Sequence, residues 1–306
     1  MNVLHMKYAV EVARAGSLSR ASETLLIAQP NISRSIKELE SDLGITIFER
    51  TAKGMIPTAE GERFINYARD IIRQIDEVEK LYKENLPRKQ MFSISVPRAS
   101  YISEAFTRFS KQLSGDAAEI FYNETNPRRA IENIINQDYG LGIIRYAAEH
   151  DTAFKSMLEE KGLHYELVTQ FTYRLAMSAR HPLAGQEEVR QDDLKSYIEI
   201  AHADPHVPSL ALSKVLKEER VSDIGRRIYV FERASQFELL SENHETFMWV
   251  SPMPKKVLDR YGLVQLKCAD NDRLYKDVLI YRNGYVLSPL DKQFMTTLIE
   301  TRREIM

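Results

Sequence analysis

At 306 residues the chain is long enough for about two domains, and its 43% hydrophobic content is globular rather than disordered. No stretch approaches the roughly 18 uninterrupted apolar residues of a membrane span, and Lys7, Glu11 and Arg14 break the apolar run near the start, so we expect no signal peptide, no membrane partner and a cytoplasmic location. Cys268 is the only cysteine, which excludes an intrachain disulfide framework and a Cys-rich zinc site, while the formal charge of −2 gives no warning of a nucleic-acid partner.

Met6, Ala9, Val10 and Ala13 recur at helical spacing and predict a first helix ending at Gly16. Ser17 or Ser19 can cap a second helix that carries Ala21, Ser22, Leu25 and Leu26. After a turn near Ile27 and Ala28, Pro30 suits the first turn of a third helix, where its missing N–H costs nothing. Ile32, Ile36, Leu39 and Leu43 then form one apolar stripe, leaving Pro30, Ser33, Arg34, Lys37 and Ser41 on the opposite face. The pattern is a helix-turn-helix. Ile45 to Arg50 and Met55 to Pro57 flank the turn Thr51-Ala52-Lys53-Gly54 as a hairpin, which reads as a wing. Between Met1 and Thr58 seven Lys/Arg face six acids, so placement rather than net charge must supply phosphate contacts. Arg20, Arg34, Lys37, Arg50 and Lys53 fall where a duplex would be met.

Thr58 caps a long helix with Glu60 and Glu62 at its positive end. Phe64, Ala68, Ile71, Ile75, Val78 and Tyr82 follow as a heptad seam, which calls for a partner helix from a second chain or, failing that, a stripe packed on its own chain. Leu86-Pro87 ends that helix and places a domain boundary.

Gly16-Ser17-Leu18-Ser19-Arg20-Ala21-Ser22, Gln29-Pro30 with Ser33-Arg34, Leu39-Glu40, Leu43-Gly44, Phe48-Glu49-Arg50 and Thr58-Ala59-Glu60-Gly61 stand in an order that resembles the amino-terminal domain of LysR-type transcriptional regulators. Ala9 departs from that pattern, where a larger residue is usual. The resemblance implies a winged helix-turn-helix (1–58) whose third helix enters the major groove, a linker and dimerisation helix (59–86), and an effector-binding domain (87–306). On the face analysis, Gln29, Pro30, Ser33 and Arg34 are expected at base edges of double-stranded DNA, with Arg20, Lys37, Arg50 and Lys53 at phosphates. A homodimer or homotetramer is expected, with RNA polymerase as a further candidate partner.

From Met91 strands and helices alternate: Met91 to Val96, a stripe from Ile102 to Leu113, Glu119 to Asn123, a helix opened by Pro127, and Tyr139 to Arg145. This implies a mostly parallel sheet with helices on its faces. A second set runs from Leu163 through Thr246 to Val250, and Leu274 to Tyr281 with a final helix after Ser288 closes the chain. His181-Pro182-Leu183-Ala184-Gly185 matches a landmark of the same family, while Asn243 to Phe247 departs from its glycine-rich turn. By resemblance the fold class is α+β multidomain, ending in a periplasmic-binding-protein-like α/β domain of two subdomains, about 91–161 with 268–306 and about 162–267.

Such sheets bind ligands where strand ends meet helix starts. Arg98, Ser100, Thr125, Asn126 and His202 occupy such loops, and their guanidinium, hydroxyl, amide and imidazole groups suit a small organic anion; Ser100 read blandly is a helix cap. His202, Asp204 and His206 lie within five residues, yet Pro205 and the lack of helical spacing argue against a metal site, and no cofactor is expected. No Gly-x-Ser-x-Gly elbow, Walker loop or His-Glu-x-x-His helix occurs, so catalysis has no sequence support. A transport receptor would share the second domain's fold but have no use for a helix-turn-helix.

Overall fold

A computed structural model describes residues 2–51, 54–83, 90–113, 117–208, 210, 224–231 and 233–306, and the side chains of 77 and 79–83 lie outside that description. Lys53, the side chain of Tyr82 and the expected boundary segment at Leu86-Pro87 therefore fall outside the described residues. The chain divides into two compact units, Met1–Pro87 and Arg88–Met306.

The first unit begins with α1 (Val3–Ala15), α2 (Leu18–Leu25) and α3 (Gln29–Leu43). The Asn2 side chain accepts from the Leu4 N–H and starts α1, and Gly16 ends it at φ 64°, a left-handed position that suits glycine. Ser17 stands at the N-cap of α2 without a side-chain bond there. Ile32, Ile36 and Leu39 of α3 are buried against Tyr8, Val12 and Ala21, each contributing roughly 1.5–3 kcal/mol for a large apolar side chain. Ala9 is fully buried in the same core.

Two strands, β1 (Phe48–Thr51) and β2 (Gly54–Pro57), pair antiparallel as the wing. Three contacts fix it to the helices. Glu40 of α3 accepts from the Ile47 and Phe48 N–H groups at 2.7 and 3.2 Å. The Met55 N–H donates to the Gly16 carbonyl at 2.9 Å. Thr58 donates to the Thr46 carbonyl at 2.6 Å and accepts from the Gly61 N–H at 2.9 Å, starting α4 (Ala59–Lys83). Gly61 is required there, because a Cβ would lie 2.0 Å from the Ile47 carbonyl oxygen.

Along α4 the seam divides. Ala68 is fully buried within its own chain and is not available to a partner, and Phe64 packs against the core of the helix-turn-helix. Lys7 of α1 pairs with Asp76 at 3.1 Å, so α1 runs beside α4 for several turns. Ile71 and Ile75 are half-buried, whereas Val78 and, off the seam, Tyr67 are exposed.

In the second unit, β3 (Gln90–Val96), α5 (Ser100–Ser110), β4 (Ala118–Glu124), α6 (Pro127–Asn136), β5 (Leu141–Ala147), α7 (Asp151–Glu160) and β6 (Leu163–Thr172) come first. Then follow β7 (Arg174–Ser178), β8 (Glu188–Val189), β9 (Ile198–His202), β10 (Arg226–Val230), α8 (Arg233–Glu242), β11 (Thr246–Val250), α9 (Lys255–Tyr261) and β12 (Leu263–Cys268). The chain closes with β13 (Leu274–Arg282) and α10 (Pro289–Ile305).

One sheet has the order β4-β3-β5-β13-β6, the other β10-β9-β11-β7-β12-β8. β4, β3 and β5 are parallel, and β13 runs antiparallel to both β5 and β6, so the sheet is mixed rather than simply parallel. β6 pairs with β13 from Leu163↔Arg282 to Thr172↔Leu274 and so belongs to the first subdomain. The expected crossing near 162 is thereby corrected to Tyr173, and the return crossing runs through 269–273. β6 stays behind because β13, arriving over 100 residues later, offers it a ladder along its whole length. Phe92, Phe109 and Phe294 fill the core of this subdomain, with ring centroids 4.8 to 5.7 Å apart.

Candidate functional site

Two surfaces collect the sequence-predicted residues, one in each unit. On α3, Gln29, Pro30, Arg34 and Lys37 are exposed and Ser33 half-exposed, on the face opposite Ile32, Ile36 and Leu39. Arg20 of α2 and Arg50 of β1 are also exposed. Among the described residues Arg20, Arg34, Lys37 and Arg50 make no ion pair, whereas Arg14, on α1, is forked onto Glu11 at 2.7 and 2.9 Å. These four exposed cations carry no internal counter-charge among the described residues.

The second surface is a cavity of about 480 Å³ between the two subdomains of the second unit. Arg98, Ser100, Thr125, Asn126 and His202 all line it. The expected roles of two of them change. Ser100 is the first residue of α5 rather than its cap, and its hydroxyl accepts from Arg233 Nη2 at 2.9 Å. Arg98 holds Asp204 with both nitrogens, Nη1 to Oδ1 at 2.9 Å and Nη2 to Oδ2 at 3.3 Å. Asn126 caps α6 by accepting from the Arg129 N–H and donates to Asp204 Oδ2 at 3.1 Å.

His202 is the last residue of β9, with Nδ1 3.4 Å from the Val230 carbonyl. Burial pushes its imidazole down to about 4, with the Arg98 charge acting the same way, so the ring is neutral at pH 7. Burial would raise the Asp204 carboxyl, but Arg98 and Asn126 outweigh it and hold the group below the usual range. His206 is lowered chiefly by burial. No group of three or more His, Cys, Asp or Glu side chains that could hold a metal occurs among the described residues.

Several cavity residues carried no loop signal in the sequence. Arg145 lies within β5 and grips Asp277 of β13 with Nε and Nη2, both at 2.7 Å. Tyr101 donates to the same carboxylate at 2.6 Å, and Arg145 lies 4.8 Å from the Phe171 ring centroid. Arg227 of β10 donates to Glu199 of β9 at 2.6 Å. Gln236, 3% exposed, lines the wall with its amide oxygen unbonded. Outside the cavity two more charge pairs span the subdomains, Arg233 to Glu124 at 2.8 Å and Lys256 to Glu104.

The profile described as bacterial regulatory helix-turn-helix protein, lysR family, matches residues 3–62. The HTH-type transcriptional regulator AlsR of Bacillus subtilis is 24% identical over 244 residues, covering 78% of this chain and 76% of that protein. The uncharacterized HTH-type transcriptional regulator YbhD of Escherichia coli is 26% identical over 302 residues, covering 96% and 90%. Full-length LysG from Corynebacterium glutamicum, solved with bound effector Arg, superposes with a TM-score of 0.61 at 13% identity, covering 100% of this chain and 99% of that one, a likeness of fold. No described helix is long and apolar enough to cross a membrane.

Proposed function

Because the chain belongs to the LysR family of transcriptional regulators, DNA-binding proteins modulated by small-molecule effectors, we propose that the exposed face of α3 with the wing reads operator DNA and that the cavity of the second unit holds the effector. Its relatives are transcriptional regulators rather than enzymes. The observation that carries the first half is the set of exposed, internally unpaired cations around α3. In this reading Gln29, Pro30, Ser33 and Arg34 meet base edges, and Arg20, Lys37 and Arg50 meet phosphates, with Lys53 beside them in sequence. Two copies joined through Ile71, Ile75 and Val78 of α4 then read two half-sites of a partly palindromic operator in the cytoplasm.

The effector is a small organic anion, supported by Arg98 and Asn126 converging on a carboxylate at the cavity wall. It shifts the protein only insofar as it favours one angle between the subdomains over another. The test begins with duplexes selected by the parent from a random pool and titrated at fixed salt. Arg34→Ala should cost about 1–3 kcal/mol on selected duplexes and relax base preference, while Lys37→Ala should weaken all duplexes alike. Unchanged affinity and preference in Arg34→Ala would remove α3 from the reading surface.

A further inference from the structure

We propose that the anion subsite of the cavity is occupied by the chain's own Asp204, a tethered carboxylate that the effector's carboxylate must displace. The inference rests on reading the cavity as the effector site.

Three N–H donors converge on Asp204, two from Arg98 and one from Asn126, at 2.9, 3.3 and 3.1 Å. The donors belong to the first subdomain, at the ends of β3 and β4, and the acceptor to the second, in the loop after β9. Nothing in that set is specific to an aspartate, since any R–COO⁻ presents the same two oxygens to a guanidinium fork and an amide.

Two other arginine–carboxylate pairs in the cavity wall differ in kind. Arg145 and Asp277 face each other across the β5–β13 ladder, and Arg227 and Glu199 across the β10–β9 ladder. Each pair is set by strand register, so neither carboxylate can leave without breaking a sheet. Asp204 is in no strand, so its side chain can turn away from Arg98 while β9 stays paired with β10 and β11 and Val207, three residues on, stays buried against the first subdomain. Of these three carboxylates it is the one a ligand can replace without breaking a sheet.

Displacement has two consequences. The incoming carboxylate takes over bonds already oriented, so the site needs little rearrangement to receive it. The ion pair between Arg98 and the second subdomain is lost, leaving Arg233–Glu124 and Lys256–Glu104 as spanning charge pairs among the described residues. Ligand entry thus removes one charge link between the subdomains, while Val207 keeps the loop packed on the first. Gln236 gives the arriving molecule a second contact, an amide oxygen that no described group satisfies.

The test uses the full chain and acetate as the probe, against equal sodium chloride. Two readouts are followed: the melting temperature, which rises when a ligand binds the folded state, and the emission of Trp249, the single tryptophan, which lines the cavity. The parent should respond to acetate no more than to chloride. Asp204→Ala should melt lower in chloride and recover in acetate with a saturating dose curve in either readout. Adding Arg98→Ala should weaken that binding at least tenfold, about 1.4 kcal/mol. Should Asp204→Ala fail to fold, Asp204→Asn keeps the volume, removes the charge, and should also become acetate-responsive. A folded variant that treats acetate as chloride, or a parent that binds acetate as well as the variant does, overturns the proposal. Neither result bears on DNA binding, which the duplex titrations settle separately.

Discussion

Asp277→Asn removes one charge from the most enclosed ion pair of the second unit while keeping the side chain's shape. Asp277 is 0% exposed and receives three hydrogen bonds, two from Arg145 and one from Tyr101. Burial disfavours the Arg145 cation, and Asp277 more than offsets it, so the guanidinium stays charged and the variant leaves it buried without its counter-ion. Removing one partner of a buried pair costs about 3–5 kcal/mol. A unit of this size loses roughly 2–4 °C of melting temperature per kcal/mol, so a fall of about 6–20 °C is expected. Trp249 lies in this unit, so its emission during heating follows that unfolding without contribution from the DNA-binding unit. The triple variant Tyr101→Phe/Arg145→Met/Asp277→Leu, which removes all three polar groups, should recover most of the loss. A fall below about 2 °C for Asp277→Asn would refute the reasoning, because it would mean that solvent or another group already neutralises Arg145.

The remaining expectations address other regions. Ile71→Asp/Ile75→Asp should shift the full chain towards monomer in sedimentation velocity and weaken binding to selected duplexes; an unchanged oligomer would place the interface elsewhere. His181 and His202 both stand near 4 against an ordinary 6.5, each chiefly through burial. Their stabilising effect is present above pH 6.5 and is lost as the pH falls towards 4, because the unfolded chain takes up protons that the folded one refuses, by up to about 1.4 kcal/mol per pH unit for each ring. Melting curves of His202→Gln over that window should show a shallower slope than the parent. Gly61→Ala places a methyl against the Ile47 carbonyl and should destabilise the first unit by about 1–3 kcal/mol, seen as a lower calorimetric transition; a neutral result would show that α4 can shift at its start.

The exposed face of α3 was legible because its periodicity and its burial have one cause, a single apolar stripe laid against α1 and α2. The loop residues of the cavity were legible as a group for a similar reason, since strand ends gather at one edge of an α/β sheet whatever their side chains. Partnership was not legible. Arg98 lies 106 residues from Asp204 and Arg145 132 residues from Asp277, and no local pattern joins positions so far apart. The same distance hid the subdomain boundary, because β6 is held by a strand that returns only after the whole second subdomain has been made. On α4 a heptad seam states that a surface is apolar but not whose surface covers it. Ala68 turned out to serve its own chain.

Glu40 accepts from two N–H groups at the entrance to the wing, and Gly16 from Met55 at its far strand, so α3, the α1–α2 turn and both wing strands are clamped together. The distance between α3 and the wing is therefore a fixed gauge, set before any duplex arrives. A gauge of this kind spends little entropy on docking, and it penalises a duplex by its groove width as well as by its bases. Loosening the clamp by Glu40→Ala, which removes the acceptor of both bonds, should then cost discrimination between duplexes of equal base contacts but different groove shape, a form of selectivity with no residue at the base edges to which it can be assigned.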